Sequence, residues 1–540
     1  MARKDSSDRR QPGGHLTADN ASPGHRGPGL GLLAASIALG LMSAPALAET
    51  SPDFRPDPAM QAAGNEQLDL TFDDAVQRTL SQNAAMDLSQ ARIAEARAAI
   101  EQASGNLLPT LDLSFGVMGS NNPLNVFGMK LQQEQATFGD FGVQEYMDTS
   151  GFTDFIAGTG APTPDRINEA NSTAPDELNN PGWHQNFQTS LKLQVPIYNG
   201  GKIREMRTQA QALLQAAEAG DEAARQQLVL HTIEAYAGIN TAEAFVEVAH
   251  QAREAAASYR DLSEKLYNEG VVTKADLLKA EVNLGERELD TEAARNQADN
   301  AADGLKVLAG IDTGRAIALP ESIDVSLPET DLAQARNMAM AKNPRILALR
   351  GRIDAARAEV DVARAEYKPH FNLMAQQDFN DDSLGLRNDS YTVGGVLTWR
   401  VLDFGARSGQ VDRAQAKVNA SLAERQQALN QLLGQVGEVW RAADMAEKRV
   451  EVRQMAIRQS EEAVRLEKLR YQQGLATMTE LLATQTELDN ARAELIKAHF
   501  QRTMQRAALW LAMGELAPDR VTNEPGNAVA AALTTASTTD

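Results

Sequence analysis

The region 406–514 has the longest regular pattern of apolar positions in the chain. From Val411 onward, apolar residues recur at intervals of three, four and seven, which keeps them on one face of a slightly supercoiled helix. This apolar series consists of Val418, Leu422, Leu429, Leu432, Val436, Val439, Ala443, Ala446, Val450, Ile457 and Val464. No proline interrupts 406–469, and at about 1.5 Å per residue this arm would be roughly 100 Å long. A helix of that length cannot fit inside a globular core. We therefore predict two antiparallel helices, which meet at the turn Tyr471-Gln472-Gln473-Gly474 and lie beside helices of similar length.

Two constant offsets indicate that this plan occurs twice in the chain. An offset of 204 positions aligns Tyr267 with Tyr471, and an offset of 260 positions aligns Asn83 with Asn343. The difference, 260 − 204 = 56, means that the first copy carries 56 additional residues after Pro109. Constant offsets over most of a chain are typical of an internally duplicated fold.

Each copy also contains two segments in which apolar and polar residues alternate, the pattern of strands with one apolar face. Strands of about ten residues can cross a bilayer when they are tilted. An ordinary sheet that covers a core is the commoner reading of such a pattern. Here, however, the neighbouring helices are predicted to form their own long bundle, so we favour membrane strands. The predicted lipid-facing residues are Leu111, Leu113, Phe115, Leu191, Leu193, Phe371, Leu373, Leu397 and Trp399.

Four strands from one chain cannot form a closed structure in a membrane. An open sheet edge in lipid leaves backbone groups unpaired, at several kcal/mol each. The strands must therefore be shared between subunits, so that two copies would give eight strands and three copies would give twelve. Since about eight strands fill their interior with side chains, a conducting pore needs more than two subunits.

The remaining segments complete the predicted organisation. Basic residues, among them Arg9 and Arg10, precede a short apolar run from Leu30 to Leu41. The small residues of Ala46-Leu47-Ala48 follow as a cleavage site, and this order is the pattern of a secretory signal peptide. The segment 120–184 is rich in Gly, Asn, Asp, Thr and Pro, and we predict a long extracellular loop with partial order. The predicted domains are a signal peptide (1–48), a linker (49–67), a first repeat (68–310) with a strand hairpin (110–197) and a helical hairpin (202–308), a linker (311–330), a second repeat (331–516) with a strand hairpin (370–402) and a helical hairpin (406–514), and a disordered tail (517–540).

Composition excludes several classes of function. The chain has no Cys, which rules out disulfides, zinc–thiolate sites and an N-terminal lipid-bearing Cys. A net charge of −21 argues against a nucleic-acid partner. Histidines beyond the signal peptide occur singly, and no acid–base or nucleophile arrangement is evident. We therefore expect no catalysis, no cofactor and no metal site.

Three motifs and their order resemble one known family. They are Val195-Pro196-Ile197-Tyr198-Asn199-Gly200-Gly201, Tyr471-Gln472-Gln473-Gly474 and Glu480-Leu481-Leu482. Together with the duplication and the proline-opened hairpins, they are similar to the TolC family of outer-membrane efflux proteins over about residues 68–516. The resemblance implies a mainly α fold with membrane β: a homotrimer with a twelve-stranded β-barrel and a periplasmic α-helical tunnel of coiled-coil hairpins.

The resemblance also implies a function and partners. Family members form the outer-membrane exit duct of tripartite efflux pumps or type I secretion systems. The expected partners are a periplasmic adaptor (membrane fusion) protein, an inner-membrane transporter of the RND or ABC type, and outer-membrane lipid. The alternative is a periplasmic coiled-coil adaptor or scaffold without a pore, which would carry compact β-domains and an inner-membrane anchor.

The helical turns are the predicted periplasmic entrance. In the family, this end is held closed by Tyr, Arg and Asp contacts, and Asp276 and Glu480 match its acidic positions. The sequence departs from the family pattern at Ala476, which replaces a latch arginine, and at Ala483, which replaces an acid. Alternatively, the glycines and tyrosines shape the hairpins and the acids only begin helices. The predicted entrance residues are Tyr267, Gly270, Asp276, Tyr471, Gly474 and Glu480.

Overall fold

The structure is a computed structural model that describes residues 67–526. The predicted signal peptide, 1–48, and all but the last residue of the predicted linker, 49–67, lie outside this range. The first repeat contains β1 (Leu68–Asp69), α1 (Phe72–Gln82), α2 (Ala84–Gly105), β2 (Thr110–Ser120), α3 (Pro123–Gln132), α4 (Val143–Ser150), α5 (Phe152–Ile156), α6 (Pro164–Ser172), α7 (Asp176–Asn179), β3 (His184–Tyr198), α8 (Lys202–Asn268) and α9 (Lys274–Leu308).

The second repeat follows the same order without the inserted short helices. It is preceded by two strands, β4 (Ile317–Ala318) and β5 (Glu321–Val325). The repeat itself contains α10 (Leu332–Lys342), α11 (Pro344–Ala365), β6 (His370–Asp381), β7 (Asp389–Thr398), α12 (Ala406–Gln472) and α13 (Met478–Met513), and a last strand, β8 (Val521–Pro525), follows it.

Corresponding helices have matching lengths. The helices α1 and α10 have 11 residues each, α2 and α11 have 22 each, and α8 and α12 have 67 each. The returning helices α9 and α13 have 35 and 36 residues. These lengths confirm the duplicated, mainly helical fold. Among residues 67–526, no helix is both long enough and apolar enough to cross a membrane.

In each repeat, one asparagine lies between the two shorter helices and forms hydrogen bonds to both the second of them and the returning helix. Asn83 and Asn343 cap α2 and α11 by accepting a hydrogen bond from the N–H two residues further on, at 3.0 and 3.1 Å. Each also donates its side-chain N–H to the last turn of the returning helix, to Leu308 O at 3.3 Å and to Ala512 O at 3.1 Å. The pair of short helices and the returning helix are therefore fixed end to end beside the long helix.

The largest core lies where the short helices meet the long ones. Tyr236 on α8 is fully buried, and its hydroxyl donates to Leu70 O at 3.1 Å. The Phe72 ring meets the Tyr236 ring edge-on, with 5.7 Å between centroids.

Along α12, Leu422 is exposed although it belongs to the predicted apolar series. Members of that series that are buried are Val418, Leu432, Val436, Ala443, Ala446, Val450, Ile457 and Val464.

The strands β2, β3, β6 and β7 form one antiparallel sheet in the order β2-β3-β6-β7. Opposite residues in such a sheet share a face, and the register places Leu111 opposite Leu193, Leu193 opposite Ala375, and Ala375 opposite Val393. Within residues 67–526, β2 and β7 each pair on one side only, so the sheet has two open edges.

The predicted second linker and the predicted disordered tail need correction. The segment 311–330 contains β4, which pairs in parallel with β1, and β5, which pairs with β8. The predicted tail, 517–540, therefore contains a short 3-10 turn, Pro518–Arg520, and a strand, Val521–Pro525, and its residues 527–540 lie outside the described range. Asp324 on β5 also receives hydrogen bonds from the guanidinium groups of Arg502 and Arg506 on α13, both at 2.8 Å. Short strands whose partners lie about 200 residues away in the chain leave no local periodicity to detect.

The structure shows substantial order in the segment predicted as a long loop, 120–184. It contains α3 to α7 and a short 3-10 turn, Gly139–Phe141. Local capping explains part of this order, since Asn122 and Thr163 begin α3 and α6, each followed directly by a proline. The segment connects the outer ends of β2 and β3, opposite the ends from which the long helices depart.

Candidate functional site

The two long hairpins turn in the same way. After α8 and α12, Gly270 and Gly474 adopt left-handed backbone conformations, with φ of 76° and 69°. The N–H of the next residue, Val271 or Leu475, donates to the carbonyl five residues earlier, at 2.8 Å in both turns. This is the helix-terminating arrangement that favours glycine. The structural role that the sequence suggests for both glycines is therefore present.

The two predicted acidic residues begin the returning helices. Asp276 Oδ2 accepts from the Thr273 N–H at 3.2 Å and from its hydroxyl at 2.7 Å. Glu480 Oε2 accepts from the Thr477 N–H at 2.7 Å and from its hydroxyl at 3.2 Å. Each threonine side chain in turn accepts from the N–H of its acid, which completes a capping box. The hydrogen bond from the Thr477 N–H lowers the pKa of Glu480 below its ordinary value.

The two turns lie next to each other at one end of the helices. A methyl group at Gly474 would lie 3.5 Å from Val271 Cγ1, and the Lys279 ammonium donates to Thr479 Oγ1 at 2.8 Å. The six predicted entrance residues therefore belong to one region of the protein. Within this region, Asp276 and Glu480 each use one carboxylate oxygen to accept the hydrogen bonds of their own capping box.

The two tyrosines at the turns have different environments. Tyr471 is fully buried, and its hydroxyl donates to Ser263 Oγ at 3.0 Å. Burial raises the pKa of this hydroxyl, against the effect of the Ser263 hydrogen bond. Its duplicate, Tyr267, is 39% exposed. Ser263 corresponds by the offset of 204 to Glu467, which pairs instead with Arg470 at 2.8 Å. The duplication is thus asymmetric at the residues that join α8 to α12.

A second buried contact between the hairpins was missed by the sequence analysis. The Tyr259 hydroxyl on α8 donates to Gln485 Oε1 at 2.7 Å, and Gln485 Nε2 donates to Asp489 Oδ1 at 2.8 Å. Burial raises the pKa of Tyr259 to about 12 and that of Asp489 above its ordinary range. The signal was present, because Gln485 stands between Leu481 and Leu488, where the helical repeat expects an apolar residue.

The predicted lipid-facing residues lie on one face of the sheet, with the exception of Trp399. Leu111 and Phe115 are 64% and 67% exposed, whereas Phe371 is partly buried. Trp399 is beyond the end of β7, and its indole N–H donates to Tyr367 O at 3.1 Å. The predicted hairpin 370–402 is therefore shortened at its end.

Among residues 67–526, no group of three or more potential metal-ligating side chains is close enough to hold an ion.

Comparison with known proteins identifies the family. The model of a family described as outer membrane efflux protein matches residues 167–311 and 335–515, more than half of the chain. The chain belongs to this family. The matched ranges fall in separate repeats, in agreement with the duplication. As a member, the protein is located in the outer membrane and serves as an exit duct for efflux or secretion. The family consists of channels rather than enzymes. Membership in it does not favour the alternative function, a periplasmic adaptor or scaffold without a pore.

Individual relatives are distant. The alkaline protease secretion protein AprF of Pseudomonas aeruginosa is 23% identical over 328 residues, which cover 59% of this chain and 67% of AprF. The fusaric acid resistance protein FusA of Burkholderia cepacia is 25% identical over 44% of this chain and 46% of FusA. The crystal structure of the outer membrane protein VceC from Vibrio cholerae superposes with a TM-score of 0.63, at 21% identity, over 82% of this chain and 96% of VceC. This last similarity shows a shared fold.

Proposed function

We propose that three copies of the chain form a duct with a twelve-stranded barrel in the outer membrane and a helical tunnel in the periplasm. The observation that carries this proposal is the sheet β2-β3-β6-β7, which has an exposed apolar face and two open edges. Lipid would cover the apolar face. The edges of β2 and β7 would pair with neighbouring copies, because unpaired backbone groups are costly in a bilayer.

The length of the helices supports the direction of the duct. Helix α8 leaves the sheet directly after β3 and has 67 residues, which corresponds to about 100 Å. If the sheet lies in the outer membrane, the turns at Gly270 and Gly474 lie deep in the periplasm. These turns form the entrance of the duct, and Asp276 and Glu480 contribute up to six carboxylates around its axis in a trimer.

The partners follow from this placement. A duct that ends in the periplasm needs a transporter in the inner membrane, of the RND or ABC type, and an adaptor (membrane fusion) protein that joins the two. The names of AprF and FusA refer to secretion of an alkaline protease and to resistance to fusaric acid. We propose that this protein acts in one of these two kinds of system, and that recovery of its transporter in a pull-down will identify which.

Fractionation of cells tests the proposal. The protein should be recovered in the outer-membrane fraction and should migrate as an oligomer that heating dissociates. Recovery in the soluble periplasm without such an oligomer would contradict it. An epitope tag within 150–165 should be detected on intact cells, because this segment joins the strand ends opposite the helices. Detection only after permeabilisation would reverse the topology.

A further inference from the structure

The insert, defined as residues 121–183, begins on the polar face of the sheet. Side chains alternate along β3, so that His184, Asn186 and Ser190 point to the face opposite Leu191 and Leu193. If Leu191 and Leu193 face lipid, this polar face lines the interior of the duct. The side on which the insert packs therefore decides whether it lies over the pore or outside it.

A buried glutamine attaches the insert to the polar face. Gln133, immediately after α3, is 1% exposed. Its Nε2 lies 2.8 Å from Asn186 Oδ1 and from Gln185 O and 3.0 Å from Asp381 O, so that its two N–H groups are shared among three acceptors. Its Oε1 lies 2.7 Å from His184 Nε2. Two of these partners, His184 and Asn186, are side chains of the polar face, so α3 ends on that face.

The attachment continues across two strands. Asn186 Nδ2 donates to Asn380 Oδ1 on β6 at 2.8 Å, and Asn186 and Asn380 are both nearly fully buried. Buried amides of this kind are costly unless every polar atom has a partner. Gln133 supplies the partner that Asn186 would otherwise take from water. The hydrogen-bonding pattern is thus specific for an insert seated on this face.

Helix α3 packs against the turn that follows it through apolar and charged contacts. Val126 and Met129 lie on the buried side of α3 together with Gln133. The Phe127 and Phe141 rings meet edge-on, with 5.0 Å between centroids. Lys130 forms an ion pair with Asp140, whose pKa this contact lowers to about 2.

The two ends of the insert lie on different faces of the sheet. The Trp183 ring packs so closely on Gly119 that a methyl group at position 119 would collide with it. Gly119 belongs to the same face as Val117, Phe115 and Leu113, which is the apolar face. The insert therefore starts on the polar face and returns to the strand ends over the apolar face, so it crosses the rim of the sheet.

We propose that the insert is a lid over the outer mouth of the duct, with α3 on the inner side of the strands. This inference rests on the proposed trimer. Leu124 and Phe138 are 80% and 83% exposed. In the trimer, the three lids meet near the axis through these side chains. Breaking the Gln133 attachment releases the lid and opens the mouth.

Single cysteines test the lid, because the chain contains no Cys of its own. Ser114→Cys places a thiol on the polar face, opposite Ser190 and about 20 Å below the end of β2. Intact cells are treated with a maleimide linked to a polyethylene glycol chain of about 5 kDa, which a closed lid excludes. We expect labelling of Ser114→Cys to be at least ten-fold faster when Gln133→Ala is added. The matched control, Gln132→Ala on the exposed side of the same helix end, should leave the rate unchanged.

Two further variants make the outcome decisive. Thr159→Cys lies in an exposed part of the insert and should be labelled quickly in every background. Equal labelling of Ser114→Cys with and without Gln133→Ala overturns the lid. Failure to label Thr159→Cys on intact cells, with labelling after permeabilisation, overturns the proposed topology instead. If Gln133→Ala does not assemble, replacement of 123–182 by a short Gly-Ser linker takes its place, with the same expected acceleration.

Discussion

The Tyr471 hydroxyl donates a hydrogen bond to Ser263 Oγ at 3.0 Å, and this contact joins α12 to α8 near the turns. The contact is neutral and buried. It occurs in one repeat only, since Tyr267 is 39% exposed. A hydrogen bond between two uncharged side chains, Tyr471 and Ser263, therefore joins the two hairpins of a subunit close to the proposed entrance.

Replacement of Tyr471 by Phe should loosen this end of the protein. The change leaves the buried Ser263 hydroxyl without its partner, at a cost of about 1 kcal/mol or somewhat more. We expect a lower thermal unfolding midpoint and a larger single-channel conductance in planar bilayers. Tyr267→Phe is the matched control and should behave like the wild type. Equal effects of the two substitutions would mean that the Ser263 contact does not hold the hairpins together.

The lipid-facing assignment predicts opposite responses at neighbouring residues of β3. Leu193 lies between Leu111 and Ala375 on the apolar face. Leu193→Arg should therefore cost roughly 2–4 kcal/mol if it lies at mid-bilayer. Gln194→Arg, on the opposite face, should be tolerated. The yield of heat-modifiable oligomer in the outer membrane measures both, and equal yields would remove the membrane-strand assignment.

The entrance acids predict cation selectivity. A ring of carboxylates near one axis concentrates negative potential and attracts multivalent cations. A trivalent cation added on the periplasmic side should block the wild type. The double substitution Asp276→Asn with Glu480→Gln should abolish block and cation preference while keeping the side-chain size. If the double variant is blocked like the wild type, Asp276 and Glu480 serve only as helix caps.

The same recordings have an expected pH dependence. The Thr477 N–H stabilises the charged form of Glu480, so the pKa of Glu480 lies below its ordinary value of 4.5. For an acid with a lowered pKa, the charge is present above that value and is lost as the pH falls through it. In the single variant Asp276→Asn, block should therefore be unchanged between pH 7 and 5. Weakening over this interval would indicate that repulsion between subunits outweighs the cap.

The raised pKa of the partly buried Asp489 predicts that an amide at this position will stabilise the protein at neutral pH. Burial raises the pKa of Asp489, against the opposing effects of the Gln485 hydrogen bond and of Arg492. For an acid with a raised folded pKa, the favourable contribution is complete below the unfolded pKa and is lost as the pH rises through the folded one. Asp489→Asn removes this dependence.

We therefore expect Asp489→Asn to raise the thermal midpoint more at pH 8 than at pH 4. Unfolding curves at both pH values, in the same detergent, measure the difference. Asp299→Asn, an exposed substitution on α9, serves as the control and should shift both midpoints equally. A gain for Asp489→Asn that is larger at pH 4 would contradict the assigned direction of the pKa shift.

Much of the architecture could be predicted because its signals are local and repeated. The stripe through Val436, Val450 and Ile457 on α12 has the spacing of one helix face, and no proline interrupts the helix. The alternation around Leu193 is equally local. The offset of 204 between Tyr267 and Tyr471 then fixes the second hairpin from the first. Agreement between periodicity, turn glycines and duplication made the fold class predictable.

Contacts between distant segments were not predictable in this way. The pairing of β5 with β8, the attachment of Gln133 to Asn186, and the bond between Tyr471 and Ser263 each join residues that are not neighbours in the chain. Polar groups find such partners only once the chain has folded, because burial makes an unpaired donor or acceptor costly. Composition indicated that 120–184 was a loop, yet the loop contains helices.

The sequence by itself therefore determined the two repeats, the long helices and the apolar face of the strands, since each depends on the spacing of neighbouring residues. Only the tertiary structure decided that Tyr471, and not Tyr267, is buried. It also decided that Gln133 holds the insert on the polar face of the sheet. The physical reason is that burial and hydrogen-bond pairing depend on which segments meet in space, and periodicity along a chain does not record that.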